Sequence, residues 1–301
     1  MDCAIGIDVG GTKIAGGVVD LAAGRVLARR AAPTRPERGG AAVLEDALAL
    51  AYALRDAASG LGLTPRGVGV GVCELVDQAG NVTSGHTVAW AGLPVRARFA
   101  EVAPAVVEAD VRAHALAEAR YGAGQPFRLF AFVTVGTGIS SCLVIDGRPF
   151  AGARGNALIL ASSPLSAVCE RCGALNRPVL EEFAGGPGLV ARYNEQAGAR
   201  AQRAEEVLAA AAGGDVAAAE VVRSAGFALG VSLGWLVNVL DPEALIIGGG
   251  LGTAGGLYWD TLVDAARAHI WAGVARGLPI IPAALGPDAG LIGAAAATAR
   301  R

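Results

Sequence analysis

The sequence predicts a duplicated α/β protein of two domains with a central cleft. Two observations carry the duplication. An apolar strand, Cys3-Ala4-Ile5-Gly6-Ile7, enters the turn Asp8-Val9-Gly10-Gly11-Thr12-Lys13 and leaves it as a second strand-like run, Ile14 to Val19. About half a chain later the device returns as Leu129 to Val135, the turn Gly136-Thr137-Gly138, and Ile139 to Ile145. A third observation sets the scale. With 301 residues, 53% of them hydrophobic and 17% charged, the chain can fill two cores and does not resemble a disordered polypeptide.

The elements follow in order. Asp20 to Gly24 is a turn and Arg25 to Ala28 a third strand, which matches Asp146-Gly147 and the strand after it in the second copy. The repeat is therefore a whole supersecondary unit. The Pro- and Gly-bearing stretch Thr34 to Gly40 is a loop, and Ala41 to Ser59 has apolar residues at helical spacing. Gly67 to Val72 is a buried strand, Val76 to Val82 a turn and strand, and Ala105 to Glu108 a short strand. Asp110 opens a helix through Tyr121, stopped by Gly122 and Gly124.

After the second set of hairpins, Gly152 to Arg177 is irregular. Helices are predicted over Val179–Ala197 and Ala204–Val239, the latter ended by Leu240-Asp241-Pro242. A strand at Ala244 to Ile247 runs into Gly248-Gly249-Gly250. A helix from Trp259 to Trp271 and a strand near Ile280 follow, and Asp288 to Arg300 is a closing helix. The predicted division is a smaller domain over 1–109, to which the helix at 288–301 returns, and a larger one over 110–287.

The position of the glycines carries the chemistry. A Gly-rich turn between strand and helix would suggest a dinucleotide or Walker-type site. Here the turns join strand to strand. Bare backbone N–H groups at such a tip can approach an anion that any Cβ would keep away. Two tips, Gly10-Gly11-Thr12 and Gly136-Thr137-Gly138, suit one polyphosphate gripped from two sides. Lys13 is a point charge for phosphate or a solvated surface charge. Asp8 is an oxygen for a metal or a strand-end aspartate satisfying turn amides. The plain alternative for either turn alone is a hairpin with Gly at positive φ.

Bulk properties narrow the partners. A net charge of −2 gives no basic footprint for nucleic acid. No stretch has the length and flanks expected of a membrane span, and the N-terminus has no basic-then-apolar leader. Five cysteines in such a chain point to a reducing cytoplasm. Cys169 and Cys172 form a lone C-x-x-C, short of the four ligands that structural zinc takes, so the chain is expected to be zinc-free.

Five stretches in order resemble the ROK family (repressor, open reading frame, kinase), the sugar-kinase branch of the actin-like ATPase (ribonuclease H-like) fold. They are Ile7 to Lys13, Asp110 to Glu118, Val135 to Ile139, Leu240 to Glu243 with Gly248-Gly249-Gly250, and Ala289 to Ala295. The resemblance implies ATP, magnesium and γ-phosphoryl transfer to a sugar hydroxyl, usually a primary one, by a glucokinase-like enzyme that forms a homodimer. It implies Asp110 as the general base, against a plain helix N-cap. It implies Gly248, Gly249 and Gly250 near adenosine, against a common glycine loop. It implies Glu181 as a ligand for sugar hydroxyls, against a solvated helix charge. The family's repressors carry an added N-terminal helix-turn-helix ahead of the first glycine turn, and with Asp8 so early in this sequence a DNA-binding regulator is not expected.

The chain departs from the family pattern at the acceptor. Cys73-Glu74 stands for Pro-Gly, and Ala109 for the Asn before the catalytic Asp. Ile159 and Ser162 stand for the Glu and His of a Glu-x-Gly-His motif. Glu74, His86, Asn156 and Arg154 are the residues available to rebuild the pocket. The expected acceptor is then an amino sugar or a carbasugar cyclitol rather than glucose. A general hexose kinase is the alternative, and a sugar-binding regulator without turnover is the alternative of another class.

Overall fold

A computed structural model describes residues 1–168, 173 and 175–299. The chain begins with β1 (Cys3–Val9), β2 (Lys13–Asp20) and β3 (Arg25–Pro33), followed by α1 (Gly40–Gly60), β4 (Val68–Val72), α2 (Val95–Ala100), β5 (Ala105–Ala109) and α3 (Asp110–Tyr121). The second copy opens with β6 (Leu129–Val135), β7 (Ile139–Ile145) and β8 (Arg148–Pro149). The short pair β9 (Ala167–Val168) and β10 (Leu175–Asn176) and the helices α4 (Leu180–Ala184), α5 (Gly186–Ala197), α6 (Ala204–Ala212) and α7 (Val216–Leu240) come next. The chain closes with β11 (Ala244–Gly248), α8 (Gly256–His269), β12 (Ile280–Pro282) and α9 (Ala289–Ala297).

The repeat read from the glycine turns is a repeat of topology. One sheet has the order β3-β2-β1-β4-β5 and the other β12-β11-β6-β7-β8, the same arrangement traversed from the opposite edge. Three strands joined by hairpins meet two parallel strands in each. β1 pairs antiparallel with β2, Ile5 opposite Val18, and parallel with β4, Ile5 beside Val68. β4 pairs parallel with β5, and β11 lies parallel to both β6 and β12. β1 and β4 are buried on both faces, which is why their sequences read as continuous apolar runs.

The backbone divides into two compact units. The first comprises Met1–Arg128, Cys142–Ala157 and the chain from Ala284 onward, and the second Leu129–Ser141 and Leu158–Ala283. The boundary expected at Ala109/Asp110 falls inside the first unit, because α3 packs on α9 there. A methyl on Gly293 of α9 would lie 1.7 Å from the carbonyl oxygen of Ala113. α9 meets the sheet as tightly: methyls on Gly6 of β1 and Gly69 of β4 would lie 1.8 Å and 1.7 Å from the carbonyls of Leu291 and Ala294. The core of the first unit holds Ile7, Leu54, Val70, Trp90 and Phe99; that of the second holds Val133, Leu180, Leu233, Ile247 and Tyr258.

Several elements differ from the sequence expectation, each for a local reason. The helix expected over Val179–Ala197 breaks at Gly185, whose extended backbone (φ −76°, ψ 166°) separates α4 from α5. The helix expected from Ala204 breaks at Gly213-Gly214, and Asp215 then caps α7 by accepting from the Ala218 amide at 2.9 Å. Val76 to Val82 forms one isolated bridge instead of a strand. α2 lay outside the sequence reading, its six residues being too few to show a period. Composition alone suggested no membrane span, yet α7 is long and apolar enough to cross one by length and composition. Within the second unit, Val221, Leu229, Leu233 and Leu236 of α7 are buried, as in a core helix of a globular protein.

Candidate active site

In the first unit, β1 delivers Asp8 and the turn that follows it. The Gly10 amide donates to the Lys13 carbonyl at 3.0 Å, which closes the turn. The buried Thr34 braces it from outside, its hydroxyl donating to the Gly10 carbonyl at 2.6 Å and its amide to that of Thr12 at 3.0 Å. Neither Gly10 nor Gly11 has positive φ, and neither do Gly136 and Gly138, so the plain hairpin reading does not account for them. At Gly11 space does: a methyl there would stand 2.8 Å from the Thr87 methyl. The Thr12 amide makes no hydrogen bond among the described residues. It remains a donor at the tip, as an anion cradle needs. Lys13 is exposed at the start of β2, next to it in the chain.

Asp8 accepts no hydrogen bond from the turn among the described residues, so it is not a strand-end aspartate satisfying turn amides. It is half-buried at the end of β1. Burial raises its pKa, against the opposing pull of His114 and Lys13. A carboxylate with open oxygens and a cost of burial suits a divalent cation. Gly290, at the start of α9, makes room for it: a methyl there would lie 2.3 Å from Asp8 Oδ2 and 2.9 Å from His114 Cε1.

Asp110 is the first helical residue of α3, not its N-cap, and the cap residue Ala109 offers no side-chain hydrogen bond. Among the described residues, Asp110 Oδ1 accepts only from the adjacent Val111 amide, at 2.6 Å. Asp8 and Asp110 converge across Gly71, whose missing methyl would lie 3.7 Å from both Asp8 Oδ1 and the Asp110 Cα. Burial, then the charges of Asp8 and Glu74, push the Asp110 carboxyl up to about 6, while His114 and the Val111 amide oppose the shift. His114, one turn along α3, hydrogen-bonds the Asp110 carbonyl through Nδ1 at 2.8 Å. No sequence motif marks His114. Its i+4 spacing from Asp110 was the signal that could have found it.

Glu74 is not the open carboxylate that its sequence position suggested. It is 5% exposed, and its oxygens accept from the Ser84 hydroxyl and the amides of His86 at 3.0 Å, Thr87 at 2.6 Å and Val88 at 2.8 Å. Burial alone would raise its pKa; these bonds outweigh that and lower it. Glu74 thus ties down the segment Ser84 to Val88, and its oxygens are occupied within the protein rather than open to an acceptor. His86 lies on this segment with its side chain exposed, and Arg154 and Asn156 are exposed on the loop after β8.

In the second unit, the Gly136 amide donates to the Gly138 carbonyl at 2.9 Å, closing the second turn. The Thr137 amide makes no hydrogen bond among the described residues, in parallel with Thr12. Glu181 meets this turn directly: Oε2 accepts from the Ile139 amide at 2.7 Å, and a methyl on Gly138 would stand 2.7 Å from the same oxygen. One oxygen of the expected acceptor ligand therefore shapes the second glycine turn. Its neighbour Glu182 is exposed and accepts from the Val179 amide at 3.1 Å. Gly138→Ala is expected to raise the KM for ATP about tenfold, with far-ultraviolet circular dichroism unchanged, because the new methyl must displace Glu181 or the turn. Unaltered ATP kinetics in that variant would remove the turn from nucleotide binding.

The triple glycine divides its roles. Gly249, at φ +81°, lies against the end of β6, where a methyl would meet the Val135 carbonyl at 2.3 Å. The amides of Leu251 and Gly252 both donate to that carbonyl at 3.0 Å. Gly250 borders open space and is the one a ligand can approach. Cys169 and Cys172 lie outside the described residues, and no cluster of metal-ligating side chains occurs among those described.

A family model described as the ROK family matches residues 4–301. The chain belongs to the ROK family. It is 32% identical over 98% of its length, and 97% of the relative's, to a protein named glucokinase from Streptomyces coelicolor. It is 30% identical, over 96% and 97% of the two chains, to an N-acetyl-D-glucosamine kinase of Shigella boydii. Among solved structures, a ROK family glucokinase from Streptomyces griseus in complex with glucose and AMPPNP superposes with a TM-score of 0.82 at 28% identity, covering 97% and 98% of the chains. The ROK chain therefore has the actin-like ATPase fold, and as a class it is a sugar kinase.

Proposed function

We propose that this ROK protein transfers the γ-phosphoryl group of ATP to the primary hydroxyl of a glucose-like acceptor, with Asp110 as general base. The observation that carries the reading is Asp110 itself: a half-buried carboxyl at the head of α3, beside Asp8, with a pKa near 6 and no capping duty. A base poised there is ionised at neutral pH and still accepts a proton as the hydroxyl oxygen attacks. The amides at Thr12 and Thr137, with Lys13, would hold phosphate oxygens. Asp8 would hold magnesium, directly or through water. Magnesium would supply charge neutralisation on the phosphates. A regulator without turnover has no use for such a base.

The acceptor we propose carries ring substituents other than those of glucose: an amino sugar, in particular an N-acylated one, or a carbasugar cyclitol. Ala109 and Ile159 remove polar partners, and Ile159, 45% exposed, offers apolar surface suited to an acyl methyl. Ser162 turns its hydroxyl onto the Ile159 carbonyl at 2.9 Å. The internal pairing of Glu74 favours the second reading, a general hexose kinase. An ATP-coupled assay over glucose, glucosamine, N-acetylglucosamine, N-acetylmannosamine and a cyclitol separates them. The expected result is a non-glucose acceptor at least about tenfold ahead in kcat/KM, which requires only about 1.4 kcal/mol. Glucose as best substrate makes the protein a general hexose kinase. Kinship with the family also supports proposing a cytoplasmic homodimer, for which light scattering behind size exclusion is the measurement.

A further inference from the structure

Arg112 stands two residues after Asp110 and is 5% exposed, a buried guanidinium among the described residues of the first unit. All three of its nitrogens are used. Nε donates to the Glu108 carboxylate on β5. Nη1 donates to the Gly155 carbonyl and Nη2 to the Val76 carbonyl, each at 2.7 Å. The two carbonyls come from two different loops, and the loops touch. Gly155 has φ +83°, and a methyl on it would lie 2.1 Å from the Val76 oxygen. The Gln78 side-chain amide adds a bond to the Gly152 carbonyl across the same junction.

What these loops carry gives the contact its meaning. The Gly152–Ala157 loop holds Arg154 and Asn156. The segment entered through Val76 leads to Ser84–Val88, which Glu74 fastens beside Gly11 and the first phosphate turn. A planar fork can hold two carbonyls at fixed separation, which a lysine ammonium cannot reproduce. Glu108 offsets the charge, so that the guanidinium is tolerated in the interior.

We infer that Arg112 is a positioning residue for the acceptor: its fork fixes the Val76 and Gly155 loops to the helix that begins with Asp110, and so sets where the acceptor hydroxyl stands relative to the base. The inference rests on the kinase reading for its consequence, and on geometry alone for the clamp.

The test uses the full chain with ATP and glucose, together with the rest of the acceptor panel. Arg112→Lys keeps the charge and loses the fork. It is expected to raise the acceptor KM about tenfold or more while the KM for ATP changes less than about twofold. Amide hydrogen exchange should quicken in 76–82 and 152–157 and stay unchanged in 10–13. Arg112→Ala should regain acceptor affinity on addition of guanidinium ion at non-denaturing concentration, which a purely structural loss would not do. Unchanged exchange in both loops overturns the clamp, whatever the activity. Faster exchange with an unchanged acceptor KM overturns its role in positioning. Absence of turnover by the wild-type chain with every acceptor overturns the kinase reading instead, and leaves the exchange result to judge the clamp.

Discussion

Asp110→Asn is expected to bind ATP as the wild type does and to turn over slower by a factor on the order of 10²–10⁴. The asparagine keeps the shape at the head of α3 but cannot take the proton. In the wild type, kcat/KM should fall tenfold per pH unit below about 6, as the carboxyl becomes protonated. The same shift predicts a second effect. The folded chain holds this proton more tightly than the unfolded chain, whose aspartate titrates near 3.8. The stability so contributed is complete below that value and is lost as pH rises through about 6. Ionised Asp110 is therefore a burden at neutral pH, with an upper bound of about 3 kcal/mol. Asp110→Asn should raise the Tm at pH 7.5, and the gain should vanish below pH 4. Near-normal turnover in the variant removes Asp110 from the base role. A Tm that does not rise at neutral pH shows that burial of the Asp110 carboxylate is no burden to the fold.

Glu74→Gln is expected to cost about 3 kcal/mol or more of stability, since an amide cannot accept from every donor that the carboxylate now serves. The Ser84 hydroxyl and the amides of His86, Thr87 and Val88 would compete for one remaining oxygen. All acceptors should weaken together, with their ranking kept. The direction with pH is opposite to that of Asp110. Because the folded pKa lies below the ordinary glutamate value of 4.5, the stabilisation is full above that value and is lost as pH falls through the lowered one. The difference in Tm between wild type and variant should therefore close in acid. A variant with wild-type Tm and a selective loss of amine-bearing acceptors would restore Glu74 to the sugar pocket.

The two glycine turns made the duplication legible, because a turn between strands leaves a mark at one place in the chain. The neighbours within each hairpin followed from it, and the places of the parallel strands did not. Helix ends were less legible: Gly185 and Gly213-Gly214 break helices whose apolar spacing runs on across them. The chemistry of single carboxylates was the least legible part. Asp110 and Glu74 each end a strand region and look alike in sequence. One meets a single adjacent amide, and the other meets a folded-back segment ten to fourteen residues on. That difference lies in a loop with no period. Arg112 was invisible for the same reason, since its partners at Val76 and Gly155 are backbone carbonyls, which every residue has.

The position of α9 has a bearing on how the protein is made. Its glycine-to-carbonyl contacts with β1, β4 and α3 leave no gap that a different helix could fill, and Gly290 brings the helix up to Asp8 and His114. The second unit is complete once Ala283 has been synthesised, whereas the first, although it contains the N-terminus, still lacks its last helix. A ribosome making this chain therefore finishes the later unit first. The early strands of the first unit are made well before α9, the helix that covers them. The unit that holds Asp8 and Asp110 is therefore assembled only once α9 is available to pack on β1, β4 and α3.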